Sequence, residues 1–235
     1  MLDKKFIYAG PSWAAQSYNT PQGDEDNTTS LLKEWGLEKI AINVSQRSSN
    51  CLEQYERFKD LNLPIIYVSC EPLSIFNHNP NYLDLYSNSG IDTLWSMRER
   101  KDKLFMHRLS ILSKSKPVAV IGAHSDFSYV PDNITVIDSS WQNFLRQESD
   151  LDTGYNWGAE VLHTHLRLSN NENMLDIKKN NRESVELFVD KMWNQFEIWN
   201  KLEKNKLFCC VHPNKRGNEI YAKHTLDNVR EFLGL

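Results

Sequence analysis

Cysteine is scarce in this chain: four residues in 235, and none of Cys51, Cys70, Cys209 and Cys210 belongs to a Cys-x-x-Cys pair. That spacing argues against a disulfide framework and points to a reducing, intracellular setting. Long hydrophobic runs are missing too, and no apolar stretch approaches the ~20 residues of a membrane span. The opening Met1 to Gly10 is too short, and too polar at Lys4-Lys5, for a secretory leader, so a cytoplasmic location and no membrane partner are expected. Without a leader, the glycosylation-like Asn27-Thr28-Thr29 and Asn133-Ile134-Thr135 carry no meaning. No Lys/Arg block stands out, and 27 basic against 31 acidic residues give a net charge of −4. Nucleic acid is therefore not expected as a partner. Neither an internal repeat nor a linker is visible, so residues 1–235 read as one domain large enough to bury a full core.

What the chain does have is a series of short apolar runs of β-branched character. Phe6–Ala9, Ile40–Val44, Ile65–Val68, Val118–Ile121 and Thr135–Ile137 predict five strands. Between them lie helical periods: a helix capped by Thr28 or Thr29 and running through Trp35, an amphipathic one over Asn50 to Leu61, and another over Asp92 to Ser113. Continuous Val/Ile strands alternating with helices call for a parallel sheet covered on both faces. The expected architecture is a three-layer α/β/α sandwich around a five-stranded parallel sheet of flavodoxin-like order. From Trp141 to Asn181 the pattern blurs into Asn- and Asp-rich turns, with a short helical piece over Gly158 to Leu168, and is read as an insertion. Arg182 to Lys204 predicts a long helix whose aromatic stripe belongs to a core.

In an open parallel sheet, sites form at the carboxyl ends of the strands. The residues following the five runs are Gly10-Pro11-Ser12, Ser45 to Asn50, Ser69-Cys70-Glu71, His124-Ser125-Asp126 and Asp138-Ser139-Ser140. Ser, His, Asp and Glu crowd this rim, although Asx and Ser chemistry is common wherever strands turn. A metal is not expected. Cys209, Cys210, His212, His163 and His165 could suggest zinc, but adjacent cysteines on a strand point in opposite directions and no Cys-x-x-Cys partner exists. The acidic Asp24-Glu25-Asp26 is explained by the dipole of the helix it precedes. No cofactor motif is present.

Near the C-terminus stands Cys209-Cys210-Val211-His212-Pro213-Asn214-Lys215-Arg216-Gly217-Asn218. Pro213 forces His212 out of helical conformation, so His212 is expected on a rigid loop. Asn214 to Gly217 reads as a turn, and Asn218 as the cap of a last helix running to about Phe232. This run resembles the last sequence block of the SGNH (GDSL-type) hydrolases, Asp-x-x-His-Pro followed by Gly and then Ala in a helix. Gly10-Pro11-Ser12 is similar to their first block, Gly-Asp-Ser, with Pro11 in place of Asp. Asn43 to Asn50 resembles the second block, and more closely a phage-encoded variant in which Asn precedes Gly-Ser-Ser-Asn; Arg47 stands where that Gly is expected.

The resemblance implies a serine esterase or deacylase without a cofactor. Ser12 would be the nucleophile, His212 the general base and then acid, and the N–H groups of Ser12 and of Arg47 or Ser48 the oxyanion donors. The substrate would be a small acyl ester or an acetylated carbohydrate. Two departures weigh against it. The third block, Gly-x-Asn-Asp, is not recognisable at Ser69 to Pro72, and Cys209 occupies the place of the acid that orients the histidine. A thiol is a poor acceptor, and losing such a carboxylate costs about 10⁴ in turnover in serine proteases. A backbone carbonyl or another rim acid, with Asp126 and Asp138 the candidates, would then hold the imidazole. The other reading is a catalytically degenerate protein of the same fold, kept as a binding or virion-associated component.

Overall fold

The computed structural model describes residues 4–15, 30–46, 51–69, 100–123, 127, 129–148, 207–209, 212–213 and 215–235. Five strands, β1 (Phe6–Ala9), β2 (Ala41–Asn43), β3 (Ile65–Val68), β4 (Val118–Ile121) and β5 (Thr135–Asp138), form one all-parallel sheet in the order β2-β1-β3-β4-β5. The expected strands are all present to within a residue or two. β2 is the shortest: Ile40 closes a 3₁₀ turn (Glu38–Ile40), yet Val44 N–H still donates to Tyr8 O at 2.9 Å.

The helices are α1 (Ser12–Ala15), α2 (Leu31–Glu34), α3 (Cys51–Phe58), α4 (residues 100–113), α5 (Trp141–Glu148) and α6 (Lys215–Leu233). They pack on both faces because alternate strand residues point opposite ways. Phe6, Tyr8, Ile66, Val68, Ala119 and Ile121 join a cluster with α1, α2, α5 and α6. Ile7, Ala9, Ile65, Tyr67, Val118 and Val120 join one with α3 and α4. Strands β1, β3 and β4 are buried on both faces, which is why their sequences are continuously apolar. β5 lies at the edge and exposes Thr135 and Val136.

Several boundaries differ from the expectations. The N-cap of α2 is Ser30, whose Oγ accepts from Lys33 N–H at 3.3 Å; Thr28 and Thr29 lie outside the described residues. Ser30 has the extended backbone of an N-cap (φ −102°, ψ 154°), and its Oγ and carbonyl oxygen both accept from Lys33 N–H. Asn218 is not a cap: α6 begins at Lys215, so 215–217 are helix rather than turn, and Asn218 is buried inside its first turns. Gly217 permits this early start. A Cβ there would stand 2.3 Å from Leu207 O, so only glycine lets α6 approach the chain this closely. Instead of the expected rigid loop, His212–Pro213 forms β7, paired antiparallel with β6 (Phe208–Cys209).

The stretch read as an insertion opens with a core element. Trp141 and Leu145 of α5 are fully buried against α6, so the fold itself includes residues 141–148. The remainder, 149–181, lies outside the described residues, as do 92–99 of the third expected helix and the whole of 182–204.

Candidate functional site

The order β2-β1-β3-β4-β5 reverses direction at β1, which puts the topological switch point, where open α/β sheets place their sites, at the carboxyl ends of β1 and β3. The chain leaves β1 through Gly10, which has φ +150°. A Cβ at Gly10 would stand 2.7 Å from Ala14 Cβ, 2.8 Å from Val68 O and 2.9 Å from Val68 Cβ. Glycine thus lets the backbone turn between β3 and α1, and Ser12 opens that helix half-buried, three residues past the end of β1. Ala14 N–H and Ala15 N–H both donate to Pro11 O, at 3.0 and 2.9 Å, closing the helical turn around Ser12.

Two bonds anchor this turn from outside. Gly10 N–H donates to Gln54 Oε1 at 3.1 Å, and Gln54 is fully buried in α3. Gly10 O accepts from Gln46 N–H at 3.0 Å, which ties the segment after β2 to the end of β1. Along that segment Asn43 Oδ1 accepts from Ser45 N–H at 3.0 Å and from Ser45 Oγ at 2.5 Å, an Asx turn of the kind that starts a tight loop. Arg47 and Ser48, the expected oxyanion donors beside Ser12, follow directly in sequence and lie outside the described residues.

The hairpin that carries His212 reaches the same region. Cα atoms of α1 and β7 come within 8 Å of one another, although the two elements are some two hundred positions apart in the chain. Cys209 is register-paired with His212 across the hairpin, so the acid position of the resembling block directly opposes the histidine position. α6 follows at once and also lies against β7.

Asp138, one of the two candidate orienting acids, is already engaged. Its Oδ2 accepts from Tyr221 Oη at 2.6 Å and lies 4.0 Å from His224 Nε2. Tyr221 is fully buried, and burial, reinforced by the Asp138 charge, holds its phenol well above the usual tyrosine range. The ring stacks on Trp141 at 4.5 Å, and Trp141 meets Trp13 of α1 edge-on at 5.3 Å. An aromatic column therefore runs from the Asp138 end of β5 to the helix of Ser12. The other candidate acid, Asp126, lies outside the described residues.

Ser69, where the sequence offered no recognisable third block, stands at the end of β3. Its Oγ accepts from Ala123 N–H at 2.8 Å and its own N–H donates to Ile121 O at 2.8 Å, so it splices β3 to the turn after β4. Gln54 and Tyr221 had no assigned part in the sequence reading. Gln54 had a signal: a polar residue at the buried register of an amphipathic helix, between Cys51 and Phe58. Tyr221 had none, because its partner is 83 positions away. Among the described residues no group of three or more His, Cys, Asp or Glu is arranged to hold a metal ion, and no helix is long and apolar enough to cross a membrane. No protein-family model matches the sequence, and no curated protein matches it.

Proposed function

We propose that the chain is an SGNH-type serine hydrolase, an esterase or deacylase acting on a small acyl ester or an acetylated carbohydrate, in a three-layer fold of that family's kind. The observation that carries the reading is the approach of α1, which begins with Ser12, to β7, which contains His212, at the carboxyl end of the sheet's inner strands. Ser12 Oγ attacks the acyl carbon while His212 accepts its proton. The tetrahedral oxyanion is held by N–H groups of Ser12 and of Arg47 or Ser48. Collapse expels the alcohol, which takes the proton from His212. Water activated by the same imidazole then releases the acid and regenerates Ser12.

The imidazole needs an acceptor on its far nitrogen to hold its tautomer. Positions paired across an antiparallel ladder have Cβ atoms ~4.5–5.5 Å apart, so an acid at position 209 would suit that role, and a thiol suits it poorly. A backbone carbonyl, Asp126 or Asp138 is the substitute acceptor in this reading. If Asp138 serves, its carboxylate does so while also accepting from Tyr221.

The test pairs fluorophosphonate labelling and p-nitrophenyl acetate turnover with melting temperature, for wild type, Ser12→Ala, His212→Ala and Cys209→Asp. Catalysis predicts labelling that Ser12→Ala abolishes, with a turnover loss of about 10³-fold or more. Cys209→Asp then raises turnover or leaves it unchanged. If Ser12→Ala loses no activity, and Cys209→Asp gains none while melting lower, the catalytic reading fails and the binding scaffold stands.

A further inference from the structure

α4 buries Phe105, Met106 and Leu109 on its inner side. Its outer side is unusual. Leu104 is 66% and Ile111 53% exposed, the two most exposed large hydrophobic side chains among the described residues. Seven residues apart, they stand two helical turns, about 10.5 Å, from each other on one ridge. Exposed Arg100, Lys103, Arg108 and Lys114 surround them. From residue 100 to 114 there are five Lys or Arg and a single acid, in a chain whose net charge is −4. The Arg108 guanidinium lies 5.8 Å over the ring of Tyr55 on α3, so at least this cation is held in place.

We infer that this face of α4 docks an acidic amphipathic helix of a partner protein, one whose aliphatic side chains recur every seven residues. The repeat follows from the geometry. Leu104 and Ile111 occupy one seam position of a heptad, where they accept apolar side chains, while cations at the flanking positions pair with acids on the partner. Charge complementarity selects an acidic occupant. It also decides against two other polyanions. Neighbouring α3 and the turn after it set Glu53, Glu56 and Asp60 against Arg57 and Lys59, with Glu56 paired to Lys59 at 2.6 Å, so the basic face ends at α4 and a broad anionic bilayer or phosphate backbone would meet no further excess of positive charge there. A phosphate backbone, moreover, gives two exposed aliphatic side chains nothing to cover them. A slim helix lies along α4 alone and leaves α3 in solvent.

The face is independent of the Ser12 region, so its test does not depend on any catalytic activity. Full-length protein is titrated with a labelled synthetic helix of Glu-rich heptads carrying one Leu each. A Lys-for-Glu version of that helix, phosphatidylglycerol vesicles and duplex DNA serve as competing probes. The expected result is saturable binding of the acidic helix that weakens as salt rises. Leu104→Ser with Ile111→Ser is expected to weaken it about tenfold or more, which is roughly 1.4 kcal/mol. Lys103→Glu with Arg108→Glu should do the same, and decides the matter if the first variant melts lower than wild type. Absence of binding, equal binding of the Lys helix, insensitivity to both variants, or preference for vesicles or DNA each overturns the inference.

Discussion

The two faces of the sheet are built from different chemistry. The face that carries α1 and α6 is lined with rings that have a polar edge: Tyr8, Trp13, Trp35, Trp141 and Tyr221 are all buried there. Some of those edges are matched. Trp35 Nε1 donates to Thr225 Oγ1 at 3.0 Å, and Thr225 Oγ1 in turn donates to Tyr221 O at 2.9 Å. The face under α3 and α4 is filled by Ile, Val, Phe, Met and Leu, with Tyr67 the fully buried exception. Its notable polar members sit at its margins: Gln54 reaches Gly10, and Lys116 donates from Nζ to Lys59 O at 2.7 Å and to Leu61 O, satisfying carbonyls where α3 ends. An apolar layer tolerates exchange of shape as long as volume is kept. Polar-edged rings whose edges are bonded, as those of Trp35 and Tyr221 are, tolerate exchange less, because each such edge has one partner in one place. Ser12 opens α1, which packs on this face.

The contrast can be broken most directly by truncation. Trp141→Ala should destabilise by about 3–5 kcal/mol and Leu109→Ala by about 2–5 kcal/mol, since both side chains are fully buried. Their consequences for the site should differ. Trp141 touches Trp13 and Tyr221, so under the proposed catalytic reading its loss should slow fluorophosphonate labelling at Ser12, whereas Leu109→Ala, on the opposite layer, should leave labelling near wild type. Denaturant melts alongside labelling rates measure both, and equal effects on labelling would erase the distinction between faces.

A somewhat smaller effect is expected at the closest backbone approach. Gly217→Ala places a methyl 2.3 Å from Leu207 O, so either α6 or the chain entering β6 must move. The expected cost is at the upper end of ~1–3 kcal/mol. Gly36→Ala offers a control of the other kind: a Cβ there meets nothing within 4 Å, and only its φ of +69° is strained. That strain is of order 1–2 kcal/mol. If Gly217→Ala proves no more damaging than Gly36→Ala, the tight packing at Leu207 is not what fixes the start of α6.

The mildest probe is alkaline pH. Burial raises Tyr8 far above the ordinary tyrosine value of 10.0, Tyr221 well above it, and Cys51 from 9.0 to about 11. Above those ordinary values the unfolded chain sheds protons that the folded chain keeps. The folded state then binds more protons, so stability falls as pH rises. The loss starts near pH 9 with Cys51, and each tyrosine adds up to about 1.4 kcal/mol per pH unit once pH passes its ordinary value. Tyr8 Oη has no hydrogen-bond partner among the described residues, so Tyr8→Phe should change little at neutral pH while making the alkaline decline shallower. Urea melts across pH 7 to 11 (roughly the window of these shifts) test this; an unchanged slope in Tyr8→Phe would mean its hydroxyl reaches water.

The amino-acid sequence alone determined the strands, their parallel arrangement and their burial. Runs such as Ile65–Val68 and Val118–Ile121 are apolar at every position, and only a strand covered on both faces has a use for that. It also marked Ser12 and His212 as residues worth bringing together, whereas the close backbone approaches at Gly10 and Gly217 emerged only with the structure. Tertiary structure decided what depends on distant partners. Asn218 has the composition of a cap, yet Gly217 and Leu207 start α6 earlier. Asp138 read as a rim acid until Tyr221, 83 residues on, met it. The basic ridge on α4 escaped notice because Arg100, Lys103, Arg108 and Lys114 form no block in the linear chain. They align with Leu104 and Ile111 only after 3.6 residues per turn has put them on one side and the core has claimed the other. Local chemistry fixes which elements form. Which side chains meet is set by packing between elements, for which a linear pattern holds no coordinate.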